Sequence, residues 1–347
     1  MRRRAVAAVR HLRIGRKADG DSPVVLLYHR LGRLSSDPQL LCVTPDHFDE
    51  HLQLIAERHQ PVALADLVAA LRTGRAPRRA VAVTFDDGYA DNLQLAKPAL
   101  ERSGVPATVF AASGHIRSGR PFWWDELERL LLRPGRLPPV LSLQIGAETT
   151  TWELGDEAAF TPTRAAERVT WTVLEERDPG VRQRIYRLIC DRLRPLDVAE
   201  RERALDDLRA VAEPDETGDE PAARPLTSEE LSSLSAGTLV EVGAHTITHA
   251  TLSRLGADRQ RQEVEGSKRQ LEEILGRPLR AFSYPYGTAT DYDASTVALV
   301  RQAGFHYACA NVPARVGRRV DAFRIPRVLV RDWSGDELAR CLMLLSG

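Results

Sequence analysis

Residues 80–92 read AVAVTFDDGYADN, and this stretch decides what kind of fold the chain can have. Ala80–Phe85 is a short run without polar alternation, so both of its faces ask to be buried, as in a strand of a parallel sheet covered by helices. It runs straight into Asp86-Asp87-Gly88, and a helix is predicted over 91–102. Working outward, Val24–Tyr28 (VVLLY), Pro61–Leu64 (PVAL), Ala107–Ala111, Leu239–Val242, Ala281–Tyr284 and Tyr307–Ala310 are strands of the same character. Helical spacing falls between them. Phe48, Leu52, Ile55 and Ala56 follow the start signal Thr44-Pro45-Asp46, Ala65–Leu71 is ended by Gly74, and further helices are predicted over 258–275 and 293–302. This rhythm predicts an α/β fold, either a (β/α) barrel or an open doubly wound sheet.

The alternation stops between about 115 and 225, which reads as an insertion. Val140–Ile145 and Thr149–Leu154 form a hairpin pattern around Gly146-Ala147-Glu148, and helices are predicted near 163–176, 180–194 and 197–212. The acidic, proline-rich stretch 213–225 closes the region as a solvated linker, and Thr227 with Glu230 marks a capping box that restarts order. The organisation expected is a basic segment over 1–22 and one domain over 23–347, carrying its insertion at 115–225.

Composition narrows the classes. The 347 residues are 43% hydrophobic and 28% charged with a formal net charge of zero, which is globular and gives no electrostatic reason to expect nucleic acid as a partner. Cys42, Cys190, Cys309 and Cys341 are far apart and read as buried free thiols. The arginine-rich start lacks an apolar core of signal-peptide length, and no stretch approaches the roughly 20 apolar residues of a membrane span. A cytoplasmic location is expected, with peripheral membrane association or unconventional export as the other routes.

Chemistry concentrates at strand ends, where parallel α/β folds collect catalytic groups. Adjacent carboxylates at Asp86 and Asp87 repel unless a proton or cation relieves them, and a cation on one would leave the other as a base. The same Asp-Asp-Gly is equally a strand-to-helix turn with an Asp cap. His245-Thr246-Ile247-Thr248-His249 follows a second strand end, with two imidazoles spaced to face one way on a helical turn. Two His and one carboxylate would leave coordination positions open for water and substrate, and the conjunction is stronger than either half. Phe282–Gly287 (FSYPYG) is chiefly a turn whose aromatics offer a platform to a sugar; Trp123, Trp124 and Trp333 read as core or rim aromatics. His29, closing the first strand, reads alone as a histidine satisfied by backbone.

With TFDDGYADN (84–92), HTITH (245–249) and FSYPYG (282–287), the chain resembles the polysaccharide deacetylase family with the NodB-homology domain, carbohydrate esterase family 4. The resemblance covers residues near 23–125 and 226–335. It implies a distorted (β/α) barrel of about seven strands, and removal of acetyl groups from N-acetylated sugars of a polysaccharide, oligosaccharide or glycan precursor. It implies Asp86 as catalytic base, Asp87, His245 and His249 as ligands of one divalent metal ion (Zn2+ first, then Co2+, Ni2+ or Fe2+), the Tyr89 N–H at the oxyanion, and Tyr286 along the substrate groove. Two departures stand out. Ser283 fills the place of an arginine that buttresses the base, and the C-terminal end supplies no histidine acid. Similarity to a permuted subgroup with an N-terminal LLYHR strand reassigns His29 as the general acid. Asp332 and Trp333 resemble an Asp-Trp pair of the family without its upstream acid. Glycan O-deacetylation, hydrolysis of a non-sugar amide and a catalytically silent carbohydrate-binding barrel are the alternatives. Docking of the insertion on glycan-biosynthesis proteins is a further expectation.

Overall fold

The structure, a computed structural model, describes residues 21–215 and 223–345. The basic start, apart from Asp21 and Ser22, and the centre of the acidic linker lie outside the described residues. The chain divides into two compact units, one of Met1–Arg33, Leu41–Gly119 and Pro225–Gly347, the other of Leu34–Leu40 and Arg120–Arg224. Among the described residues no helix is long and apolar enough to cross a membrane.

The first unit is built on seven parallel strands: β1 Val24–Tyr28, β2 Ala80–Phe85, β3 Ala107–Ala111, β4 Val240–Ala244, β5 Ala281–Ser283, β6 Tyr307–Cys309 and β7 Val328–Leu329. Their order is β6-β5-β4-β3-β2-β1-β7, and Gln60–Pro61 adds a short parallel pairing to β2. No ladder joins β6 to β7. Instead, a single parallel bridge between Cys309 and Ile325 carries the chain from one to the other, with Ala310 N–H donating to Ile325 O at 2.8 Å. The result is a distorted (β/α) barrel, as the strand rhythm and the resemblance implied.

Strand periodicity explains where the site sits. Residues of one parity, Val24, Leu26 and Tyr28 on β1 and Val81, Val83 and Phe85 on β2, pack outward against Phe48, Leu52 and Ile55 of helix Pro45–Arg58. The other parity, Val25, Ala82, Phe110, Ala281, Tyr307 and Cys309, fills the interior. Phe110 is the main filler there, and Gly243 makes room for it: a Cβ at 243 would lie 2.5 Å from Phe110 Cδ1. Continuing the inward parity one step past the ends of β1, β2 and β4 brings His29, Asp86 and His245 to the same mouth as Ser283, the last inward residue of β5.

Element boundaries shift where local chemistry intervenes. The helix expected over 91–102 opens as a π-turn, Asn92–Ala96, before continuing as Lys97–Ser103. Such wide turns recur at functional sites. Here the turn lets Asn92 Nδ2 donate to His29 O at 2.9 Å, fixing the end of β1. The short strand expected over Pro61–Leu64 is confined to Gln60–Pro61, because Leu64 already begins helix Leu64–Arg72.

The second unit holds the antiparallel hairpin Val140–Ile145 with Glu148–Glu153 and helices Pro162–Arg168, Val181–Leu193 and Val198–Val211. The helix expected through 176 stops at Arg168. Its continuation is rich in β-branched residues, and the Arg187 guanidinium holds the carbonyls of Val173 and Glu175 that a helix would have used. Arg182, fully buried, pins this unit by donating to the carbonyls of Leu131, Gly135, Glu157 and Ala158. The four cysteines are buried free thiols.

Candidate metal centre and active site

Asp87 follows β2 with a φ of +76°, and His245 and His249 follow β4 around left-handed backbone at Thr246 (φ +65°) and His249 (φ +53°). The histidine pair is therefore not on a helical turn, contrary to the spacing argument. A left-handed bend brings the rings together instead, with centroids 4.9 Å apart. Left-handed non-glycine backbone costs of order 1–3 kcal/mol per residue and persists where the surroundings impose it. Tyr286 shares the feature, with a φ of +59°.

The side chains of Asp87, His245 and His249 are all buried, and their ligand atoms lie within 4.8 Å of one another. Asp87 Oδ1 is 3.5 Å from His245 Nε2 and 3.3 Å from His249 Nε2. The protonation of His245 follows from its other nitrogen. Nδ1 lies 2.8 Å from Ser283 O, and a carbonyl only accepts, so Nδ1 carries the hydrogen. Burial is the main influence on the ring and lowers its pKa, favouring the neutral form, while the charge of Asp86 opposes this. Nε2 then turns a lone pair toward Asp87 Oδ1, and toward Asp86 Oδ2 at 3.7 Å. Lone pairs facing each other at this range inside a protein are unfavourable unless a cation lies between them. Two imidazoles and a carboxylate are the donor set of an open divalent centre, so the residues fit the metal.

Asp86 is held from the opposite side. Arg327, completely buried, donates from Nη1 to Asp86 Oδ1 and from Nη2 to Asp86 Oδ2, both at 2.7 Å. Ser283 accepts from Arg327 Nη2 at 2.8 Å and donates to Asp86 Oδ2 at 3.1 Å. Burial by itself would raise this carboxyl; the Arg327 guanidinium, through its charge and its hydrogen bonds, outweighs it and holds Asp86 down at about 2. The family's buttressing arginine, absent at Ser283, is thus supplied from the segment leading into β7, and the small serine leaves space for it.

His29 keeps part of its surface open, while its Nδ1 is enclosed and has no hydrogen-bond partner among the described residues. Burial lowers its pKa well below the usual range; Asp86 opposes this, and Arg327, Arg331 and His245 add to it. The resting imidazole is neutral. Tyr286 is half-buried with its ring edge-on to His249, centroids 4.7 Å apart, so it lines the opening beside the trio. Tyr89 is completely buried with Arg30 over its ring.

The other candidates are held by hydrogen bonds and packing contacts of their own. Asp332 Oδ1 accepts from Thr44 N–H and Oγ1, both at 2.8 Å, and pairs with His47 Nδ1 at 2.7 Å. Trp333 O accepts from His51 Nε2 at 2.7 Å. Both residues tie the segment after β7 to helix Pro45–Arg58. Trp123 and Trp124 are buried in the second unit, Trp124 stacked on Phe122. Arg327 is the residue that sequence reasoning missed. Its signal was available as a lone charge in the otherwise apolar run Ile325–Val330 (IPRVLV).

Comparison with known proteins agrees with this geometry. The family model for polysaccharide deacetylase matches residues 73–134 and 218–308, which include Asp86, Asp87, His245 and His249 but not His29 or Arg327. YxkH of Bacillus subtilis (strain 168), a protein named as a polysaccharide deacetylase, is 32% identical over 88 residues. That alignment spans 25% of this chain and 30% of the relative. Among solved structures, the deacetylase PplD of Streptococcus pyogenes, in complex with acetate, superposes with a TM-score of 0.56 at 16% identity, covering 92% of this chain and 98% of that one. IcaB from Ammonifex degensii gives 0.54 at 20% identity, covering 94% and 98%. At these identities the superpositions establish a shared fold.

Proposed function

We propose that this chain, which matches the polysaccharide deacetylase model over residues 73–134 and 218–308, removes acetyl groups from N-acetylated sugars of a polysaccharide, oligosaccharide or glycan precursor. The observation that carries the reading is the convergence of Asp87 Oδ1, His245 Nε2 and His249 Nε2 beside a buried, ionised Asp86. Asp87, His245 and His249 would hold one divalent cation, with Zn2+ the first candidate for a site of two imidazoles and a carboxylate. When bound, such a cation polarises an amide carbonyl and makes a nearby water more acidic.

The remaining work falls to the protein's own groups. Asp86 accepts a proton from the attacking water, and its carboxylate plane is set by the two Arg327 bonds and the Ser283 hydroxyl. His29 gives a proton to the departing sugar amine. It is neutral at rest, and the negative charge that develops on the tetrahedral adduct is what raises its affinity for a proton. The proton that Asp86 takes from water passes to His29 once the adduct has formed and from there to the departing amine, so acetate and amine form and both side chains end the turnover as they began it. Tyr286 offers an aromatic face to the sugar beside His249. The backbone N–H of Tyr89, two residues after Asp87, would help to hold the oxyanion of the adduct.

Two substitutions separate the roles. Asp87→Asn is expected to lose bound metal and acetate release together. Asp86→Asn is expected to keep the metal and lose turnover by about 10²–10⁴-fold, the usual scale for a positioned base. Robust acetate release from N-acetylglucosamine oligomers by the Asp86→Asn protein refutes the assignment of the base.

A further inference from the structure

We infer that Glu263 is a positioning residue that fixes the bend between His245 and His249 and thereby sets the affinity of the site for its cation. This rests on the reading of Asp87, His245 and His249 as metal ligands. Glu263 is buried in helix Ala257–Leu275 and touches none of the three. Its Oε2 accepts from the backbone N–H of both Ile247 (2.8 Å) and Thr248 (2.9 Å), and its Oε1 accepts from Thr248 Oγ1 (2.7 Å). One carboxylate thus satisfies two successive amides at the tip of the bend, between the left-handed residues Thr246 and His249.

The other side of the bend is held as firmly. Ser113 N–H donates to Thr246 O at 3.1 Å and Gly114 N–H donates to Ile247 O at 2.9 Å. Ile247 is wedged between two glycines. A Cβ at Gly114 would lie 2.6 Å from Ile247 O, and one at Gly266 would lie 2.6 Å from Ile247 Cδ1. Glu263 and Gly266 are three residues apart, so one helix face presents both the acceptor for the bend and the space for its side chain. A buried carboxylate with three donors and no role in proton transfer has a positional function here. Groups that orient metal ligands without touching the metal characteristically change affinity by about 10–100-fold when removed.

The test is zinc affinity of the full chain, measured by competition against a chromophoric chelator, alongside thermal unfolding of the metal-free protein. Glu263→Gln replaces one acceptor oxygen by an N–H donor that must face the bend's own donors, and it is expected to bind zinc about 10–100-fold more weakly. Thr248→Val removes only the Oγ1 contact and is expected to weaken binding by a smaller factor, which keeps a readout if Glu263→Gln fails to fold. Leu271→Ala, in the core of the same helix, is expected to lower the unfolding temperature while zinc affinity stays at the wild-type value. Wild-type affinity in a folded Glu263→Gln protein overturns the inference, as does an equal loss in Leu271→Ala, since affinity would then follow stability. Failure of the wild-type chain to bind zinc overturns the reading of the trio instead.

Discussion

Replacing Arg327 by Leu removes the guanidinium that grips Asp86 and leaves a carboxylate that is 4% exposed with no opposite charge against its two oxygens. Breaking a buried pair from one side destabilises by about 3–5 kcal/mol, because the surviving charge stays desolvated. Asp86→Asn breaks it from the other side and strands Arg327, which has no exposed surface at all. If the pair is the unit, the double variant must lose markedly less than the sum of the singles, with a coupling of about 2–3 kcal/mol. The assay is urea unfolding of the four metal-free proteins, comparing midpoints at unchanged slope. A second readout is catalytic. Burial is already the largest single influence on Asp86, and without the opposing guanidinium it pushes the carboxyl up, so a larger fraction is protonated and unable to accept from water. Acetate release by Arg327→Leu should fall by at least about 10²-fold while zinc binding persists. Single losses that add to within about 0.5 kcal/mol, or an Arg327→Leu enzyme of wild-type rate, refute the reasoning.

His51 gives the chain an acid-side weakness. It is fully buried between the Tyr28 hydroxyl at 3.2 Å and Trp333 O at 2.7 Å, and burial lowers its pKa to about 4. The folded protein therefore resists a proton that the unfolded chain accepts near pH 6.5. The stability from this group is complete above that pH and is lost as pH falls toward 4, by up to about 3 kcal/mol. Unfolding free energies measured from pH 7 to pH 4 should decline less steeply in His51→Gln, and parallel curves would reject the assignment. His29→Gln should bind zinc normally and lower kcat by about 10²–10⁴-fold, measured as acetate release; a change confined to KM would remove its role as acid.

Much of the barrel is legible because its strands are buried on both faces. The Ala80–Phe85 and Ala107–Ala111 strands begin and end where the apolar runs do, and Asp86 and Asp87 stand out at a strand end. The trio is legible for the same reason, although the backbone that joins His245 to His249 is not. Its left-handed bend is imposed by Glu263, Ser113 and Gly114, none of which carries a local signal for it. Glu263 reads as one more charge in the polar helix sequence ADRQRQEVEGSKRQLEEIL (257–275). The closing strand β7 has only two paired residues, too few for a periodic pattern, so Arg327 is not recognised as inward-facing. The placement of His29 was inferred from resemblance, and the register of β1 against β2 supplies its physical ground.

The central claim is that a divalent cation between Asp87, His245 and His249 is required for deacetylation. Acetate release from N-acetylglucosamine oligomers, followed as zinc is titrated into chelator-stripped protein, tests it most directly. The stripped protein is expected to give no release, with a linear rise to one equivalent of zinc per chain and a plateau beyond. Release that survives stripping, or a protein that takes up one zinc and frees no acetate from any acetylated glycan offered, contradicts it.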